Sequence, residues 1–311
     1  MKFKIICFGE LIIDFTSLEP EKPLWQVGSF EKNVGGAPAN VAIGLHHHQV
    51  PALLWSKVGK DSLGQYLIEK LKAFGLSVEG VSQDDRHSTK LALVGLDNAG
   101  DRYFEFHNID SAERHIGLQD LDLSRLKTAR VFHFGGVALF GSRTYNTTMA
   151  LLRKARENQC LVSFDPNIRI NLMKNPAVVL DRFQWVLSFV DILKLSMEDW
   201  VQFFSDQSPQ DLLKKGISLL ILTEGENGAR FITKQQEIFI PSETVANVID
   251  TTGAGDAFTA AFLAKLVSAP EKQSLADLTE NQLKEWGAFA SKWAAKVVQH
   301  SGAVSAYFEE S

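Results

Sequence analysis

An α/β fold with a mainly parallel sheet and helices on both faces is the expectation from this sequence, and three observations support it. Short apolar runs alternate with helical patterns almost throughout, as βαβ units do. Polar residues stand at the carboxyl ends of several runs, Asp165, Lys194 and Thr223 among them, where open α/β sheets bind ligands. One region breaks the alternation: the strand-like runs 89–96 and 102–107 flank Asp97-Asn98-Ala99-Gly100, a turn-forming tip that reads as a hairpin.

In order along the chain, strands are expected over 4–9, 52–58, 131–135, 161–165, 191–195 and 219–223. Helices are expected over 38–48, 62–74, 144–159, 197–204 and 275–299, and another follows Gly255, where Phe258, Phe262 and Leu266 recur at helical spacing ahead of Pro270. Runs 12–17 and 26–30 supply two further strands, which with the hairpin would make a small second sheet. With no repeat or low-complexity linker, residues 1–311 are taken as one domain carrying a lid formed near 12–34 and 89–108.

Composition narrows the function classes. With 32 basic and 37 acidic residues, net charge −5, nucleic acid and anionic membrane are disfavoured as main partners. The two cysteines, Cys7 and Cys160, sit inside apolar runs and read as buried thiols in a reducing, cytoplasmic setting. Glu10 and Asp14 interrupt the N-terminal apolar run, so it reads as a first buried strand rather than a signal peptide. No apolar stretch is long enough to span a membrane.

The most informative segment is Asp250-Thr251-Thr252-Gly253-Ala254-Gly255-Asp256. It opens a helix, where unpaired N–H groups and the dipole favour an anion. Asp256, in the first turn, either complements the dipole, the commoner role for a lone Asp there, or serves as a base beside that anion site. Upstream, Gly35-Gly36 allows close backbone approach, Pro38 suits a first helical turn, and Asn40 offers donor and acceptor to a hydroxyl; a plain capped turn explains the stretch equally well in isolation. Asp14 sits among apolar residues and needs partners. Asp165-Pro166-Asn167-Ile168-Arg169 ends a strand, and Arg169 could fork to a phosphate or lie in a surface turn.

Three tempting signals fail. Gly136 to Arg143 has Walker-like glycine spacing but Ser142-Arg143 in place of Lys-Ser/Thr. Gly253-Ala254-Gly255 lacks the third glycine of a dinucleotide fingerprint, because position 258 is Phe258. His46-His47-His48 cannot share one helix face and reads as a solvated helix end.

Together, Gly35-Gly36-Ala37-Pro38-Ala39-Asn40 and Asp250 to Asp256 resemble the two signatures of the ribokinase-like (PfkB) carbohydrate kinases, in the family's order and separation. Intermediate blocks agree: 132–135, 165–169, 191–194 and 223–228. The resemblance covers essentially the whole chain and is greatest to the bacterial fructokinase branch. It implies a three-layer α/β/α ribokinase-like fold with a small β-sheet lid, and ATP-dependent phosphorylation of a sugar hydroxyl, usually with Mg2+. By resemblance, Asp256 is the catalytic base, and Gly253, Ala254 and Gly255 form the anion hole. Asp14, Gly35, Gly36 and Asn40 match sugar-binding positions, and Arg169 lies where members contact substrate or phosphates; Phe104, from its strand face, is placed toward substrate. Thr223, Gly225 and Gly228 match the nucleotide loop, with Asn167, Lys194 and Ser291 grouped on the ATP side. Some members hold K+ between a loop corresponding to Asp250–Thr252 and one near Ser301-Gly302-Ala303.

The chain departs from the family in places. The Asn-x-x-Glu motif that orders Mg-bound water reads Ser196-Met197-Glu198-Asp199, leaving open whether Glu198 or Asp199 serves. Phe106-His107-Asn108 lacks an Arg found there in many relatives, which weakens the case for an acidic sugar. Fructose is therefore the leading acceptor. 2-Keto-3-deoxygluconate kinase and nucleoside or aminoimidazole-riboside kinase are alternatives, and a catalytically silent sugar-binding regulator is the alternative of another class. A purine would need a flat surface, which Phe104 and Phe106 offer on one strand face, although lid-core or dimer packing is the preferred reading. A homodimer pairing two lids would cover their exposed edges.

Overall fold

Strand β1 (Ile5–Phe8) sends Ile5 and Cys7 into one apolar cluster and Ile6 and Phe8 into another. That alternation is the pleat of a strand buried on both faces, and it sets the layering. The computed structural model describes residues 2–19, 22–96, 102–108, 110–168, 170, 173, 175–270 and 273–308. After β1 come β2 (Ile12–Ser17), β3 (Phe30–Gly35), α1 (Ala37–His47), β4 (Ala52–Gly59), α2 (Ser62–Ala73), β5 (Val81–Asp84), β6 (Leu91–Leu96) and β7 (Arg102–His107). The chain continues through β8 (Val131–Gly135), α3 (Ser142–Glu157), β9 (Leu161–Asp165), α4 (Pro176–Val186), β10 (Ile192–Ser196), α5 (Met197–Phe203), α6 (Pro209–Lys214) and β11 (Leu219–Thr223). It finishes with β12 (Ala229–Ile232), β13 (Glu237–Ile240), α7 (Ala254–Ser268) and α8 (Glu280–Val297).

Among the described residues, the large sheet runs β13-β12-β11-β10-β9-β8-β1-β4-β5 and the small one β3-β2-β6-β7. From β11 to β5 every neighbouring pair is parallel, and only β12 and β13 are antiparallel additions. One apolar cluster packs α1, α2, α7 and α8 on one face, through residues such as Leu45, Leu67, Phe262 and Leu283. The other packs α3, α4 and α6 on the opposite face, through Leu151, Phe183 and Leu212. This is the expected three-layer ribokinase-like arrangement with a small separate sheet. Among the described residues, no helix is long and apolar enough to cross a membrane.

Several elements differ from expectation for physical reasons. Residues 24–26 form a 3-10 turn rather than starting a strand, and β3 runs on to Gly35, paired antiparallel with β2 from Ser17↔Phe30 to Ile12↔Gly35. Its Glu31-Lys32-Asn33 core is polar because β3 is an edge strand, so hydropathy hid it. The long C-terminal helix is broken: a 3-10 turn spans Leu275–Asp277, and α8 starts afresh behind a Thr279/Gln282 capping box. Helix α4, announced by Asn175-Pro176 as N-cap and first-turn proline, was not anticipated. Nor was the β12–β13 hairpin. The hairpin tip 97–100 lies outside the described residues.

The triple histidine is not a solvated helix end. His47 and His48 pack edge-on against Trp293, at centroid separations of 4.8 and 4.7 Å, and near Tyr307. Burial, with His47 alongside, holds the His48 imidazole down to about 4.

Candidate active site

The carboxyl ends of the parallel strands open into a cleft of about 780 Å3, bounded on the other side by residues of the small sheet. The start of α7 forms its floor. Asp250 is buried and pins this region from both sides: Oδ1 accepts the Thr252 N–H at 2.7 Å and Oδ2 the Gly302 N–H at 2.6 Å. Gly253 then turns the chain with φ 81°, and a Cβ there would lie 2.6 Å from Ala303 Cβ. The site requires glycine for both conformation and space. Gly253, Gly255 and Asp256 line the cleft, whereas Ala254 does not, and its N–H is turned back on the Thr251 carbonyl at 3.3 Å. Gly255 is the first-turn glycine that lines the cleft, where the backbone at a helix start favours an anion.

Asp256 accepts a 2.8 Å hydrogen bond from Asn40 Nδ2 of α1. Asn40 Oδ1 is buried with no partner among the described residues, an acceptor suited to a hydroxyl donor. Beside the helix start stands Lys194, whose Nζ would lie 3.2 Å from a Cβ at Gly255 and is bonded to Asp165 Oδ2 at 2.6 Å. Burial opposes the Lys194 charge, but Asp165, followed by Asp256 and Asp199, more than restores it and holds the ammonium above its ordinary range. Lys194 is thus a fixed cation within the cleft.

At the acceptor end, Asp14 of β2 lies opposite Asn33, and a Cβ at Gly35 would run into its carboxylate. Gly36, with φ 105°, lies so close to the Glu10 carbonyl that no side chain fits. Glu10 itself is buried; Oε1 accepts the Ala37 N–H at 3.2 Å, and Oε2 has no partner among the described residues. Burial pushes its carboxyl up to about 7, partly offset by backbone N–H bonds and the Lys90 charge. Lys90 is 3% exposed, lies 3.5 Å from Glu113 and sits 5.3 Å from the Phe106 ring centroid. Phe104 and Phe106 stack at 5.9 Å and both line the cleft. Their common strand face is turned toward the cleft rather than into the core of the small sheet.

At the other end, Asn167, Thr223, Glu224 and Gly225 line the cleft. Thr223 Oγ1 donates to the Leu195 carbonyl at 3.3 Å. Glu198 is exposed at the rim, while Asp199 is buried and occupied, with Oδ1 on the Ile168 N–H at 3.1 Å and Oδ2 on the Ser196 N–H at 3.4 Å. Burial and the Asp165 charge raise its carboxyl above the ordinary range.

Besides Ala254, the expected residues Gly35, Asp250, Gly228 and Ser291 do not line the cleft; Gly35 and Asp250 lie directly behind it, and the other two stand farther off. Ser291 on α8 is directed at the Pro241 carbonyl at 3.5 Å, and Gly228 closes the turn before β12 against Ile240 and Pro241. Both pack behind the nucleotide-side rim because β12 and β13 intervene. Arg169 lies outside the described residues. Glu10 and Lys90 were not anticipated. The strand-end rule that picked out Asp165 also reaches Glu10, two residues beyond β1, whereas a lysine ahead of a strand ordinarily reads as exposed.

Comparison with known proteins agrees with this fold. The family model described as pfkB family carbohydrate kinase matches residues 2–309. The chain is 34% identical to "Probable fructokinase-5" of Arabidopsis thaliana over 308 residues, covering 97% of this chain and 93% of that one. Its fold is similar to the crystal structure of fructokinase with bound ATP from Xylella fastidiosa, with TM-score 0.89, 26% identity, and 98% and 95% of the two chains covered. A fructokinase double mutant from Vibrio cholerae O395, in a form with fructose, ADP and potassium ion bound, gives TM-score 0.84 and 26% identity over 98% and 95% of the chains. The chain belongs to the pfkB family of carbohydrate kinases.

Proposed function

We propose that this protein transfers the terminal phosphoryl group of ATP to the primary hydroxyl of a neutral sugar, converting fructose to fructose 6-phosphate. The observation that carries the reading is Asp256, aligned by Asn40 at 2.8 Å, at the first turn of α7 and within the field of Lys194. Asp256 accepts the hydroxyl proton as attack proceeds, a step typically worth about 10²–10⁴-fold in rate. The amides around Gly253 and Gly255 act as fixed dipoles for charge building on the transferred group. Asp14, Asn40 Oδ1 and Glu10 Oε2 hold sugar hydroxyls. Lys194 and the Thr223–Gly225 rim serve the ATP side.

The fructokinases among the relatives support fructose as acceptor. Charge supports a neutral sugar: Lys90 lines the acceptor end with Glu10 and Asp14, its charge acts on Glu10, and it already neighbours Glu113. The pair Phe104–Phe106 along the cleft favours a second reading, a nucleoside or aminoimidazole-riboside kinase, whose base would need such a surface.

Mg2+ suits the oxygen donors Asp165, Glu198 and Asp199; bound with the phosphates, it would offset their charge. Because Asp199 is engaged by two backbone N–H groups, Glu198 is the more available of the adjacent pair to order metal-bound water. K+ suits the adjoining 250–252 and 301–303 loops, where Thr252 Oγ1 is buried without a partner among the described residues. The four-stranded sheet acts as a lid on a single-domain kinase, and pairing of two lids makes a homodimer. The two buried thiols suit the reducing cytoplasm.

A coupled ADP-release assay with Mg-ATP and a panel of fructose, 2-keto-3-deoxygluconate, ribose, aminoimidazole riboside, inosine and adenosine tests the reading. Fructose should give the highest kcat/KM. Preference for a nucleoside would transfer the assignment to the second reading, and tight sugar binding without turnover would make the protein a regulator.

A further inference from the structure

Away from the cleft, two histidines and an aspartate converge where the chain enters and leaves the β6–β7 hairpin. His87 lies between β5 and β6, while Asp110 and His115 lie between β7 and β8. One potential ligand atom from each residue lies within 4.8 Å of the others. The imidazoles of His87 and His115 stack with centroids 3.4 Å apart, and His115 Nε2 is 2.7 Å from Asp110 Oδ1. Behind the cluster, Asp84 Oδ1 lies 3.1 Å from His87 Nδ1 and also accepts the Arg86 and His87 N–H groups. An anchored carboxylate on Nδ1 fixes the tautomer and leaves Nε2 as the ligand atom, the arrangement in which histidines commonly hold zinc.

We propose that His87, His115 and Asp110 form a binding site for a divalent first-row transition ion of the zinc class, with Asp84 as the positioning carboxylate. Two imidazoles and one carboxylate suit Zn2+, whereas Mg2+ prefers an all-oxygen shell. The site is therefore chemically distinct from any magnesium bound with nucleotide. Parallel rings cannot both point in-plane at one ion, so one ring must turn on binding. The His87 and His115 side chains are about a quarter exposed, at 25% and 23%, which leaves solvent-side room for that rotation.

The position gives the ion a structural consequence. The two chain crossings touch through the Ala112 N–H on the Ser88 carbonyl at 3.0 Å and Asn108 Nδ2 on the Thr89 carbonyl at 2.9 Å. A metal shared by His87 and the 110–115 segment would cross-link the roots of the hairpin that carries Phe104 and Phe106 over the cleft.

The test titrates Zn2+ by calorimetry into chelator-treated full-length protein without nucleotide, with Co2+ absorbance as a second probe. Saturation at one equivalent per chain is expected, unaffected by millimolar Mg2+. His87→Ala/His115→Ala should weaken binding at least tenfold, and Asp84→Asn about 10–100-fold, the usual effect of losing such a partner. His107→Ala, an exposed histidine outside the cluster, should bind as the parent does. Absence of saturable uptake, or equal uptake by the double variant, would overturn the site. Should that variant misfold, histidine ring 15N shifts in the parent decide: Zn2+ must move two imidazole signals, and unmoved signals refute the proposal.

Discussion

Removing the Asn40 amide gives the sharpest test of the catalytic reading. Asn40 Nδ2 donates to Asp256 Oδ2 at 2.8 Å in a buried setting, and hydrogen bonds to charged groups are worth about 1.5–3 kcal/mol. If that energy aligns the base in the transition state, Asn40→Ala should lower kcat by roughly 10–150-fold, since about 1.4 kcal/mol is tenfold. Asp256→Asn removes the base itself and should cost about 10²–10⁴-fold in kcat. Because Nδ2 works through the carboxylate, while loss of the Oδ1 contact to sugar shows in KM, the two losses in kcat should not add. The double variant should be no slower than Asp256→Asn by more than about threefold, whereas independent effects would multiply. Coupled ADP release at saturating Mg-ATP, with circular dichroism to confirm the fold, supplies all four corners of the cycle. Multiplicative losses, or near-normal turnover in Asp256→Asn, would refute the assignment of Asp256 as base.

Three further outcomes follow from other contacts. Gly35→Ala should raise the acceptor KM at least tenfold with little change in that for ATP, because the added methyl displaces the Asp14 carboxylate; equal KM values in the parent and variant would remove Asp14 from the acceptor site. Lys194→Met should destabilise the fold by about 3–5 kcal/mol in urea denaturation by leaving Asp165 buried and unpaired, and adding Asp165→Leu should recover part of that loss. His133, buried beside Ser163, is held down to about 4 chiefly by burial. The unfolded chain therefore takes up a proton that the folded one refuses between about pH 6.5 and 4, so this contribution is intact above 6.5 and fades as pH falls, by on the order of 3 kcal/mol. Denaturation midpoints of parent and His133→Gln should converge on acidification; a pH-independent difference would contradict the burial.

The sequence discloses the parts of this fold in which chemistry and pattern coincide. Buried strands such as Leu161–Asp165 and Leu219–Thr223 are apolar because both faces are covered, and their boundaries were predictable to the residue. Asp256, Asn40, Asp14 and the Gly35–Gly36 pair were legible because close approach and anion binding leave few residue choices. Edge position concealed β3, whose Glu31 and Lys32 face solvent. The break before α8 was signalled by Thr279 and Gln282, but the flanking apolar residues dominated the helical pattern. Lys90 and the packed His47–His48 pair depend on neighbours distant in sequence, Glu113 and Phe106 for one, Trp293 and Tyr307 for the other. No local pattern encodes such partners.

The grip of Asp250 on the Gly302 N–H reaches across 52 residues, and it makes the active site late in the life of the nascent chain. A ribosome that has just delivered Asp256 has supplied the base but not the full geometry: until Gly302 and Ala303 have emerged, the 250–252 turn has only its local Asp250–Thr252 bond, without the Gly302 anchor or the Ala303 backing of Gly253. The preceding strands and helices can form earlier, so folding intermediates can be well structured and still unable to phosphorylate a sugar.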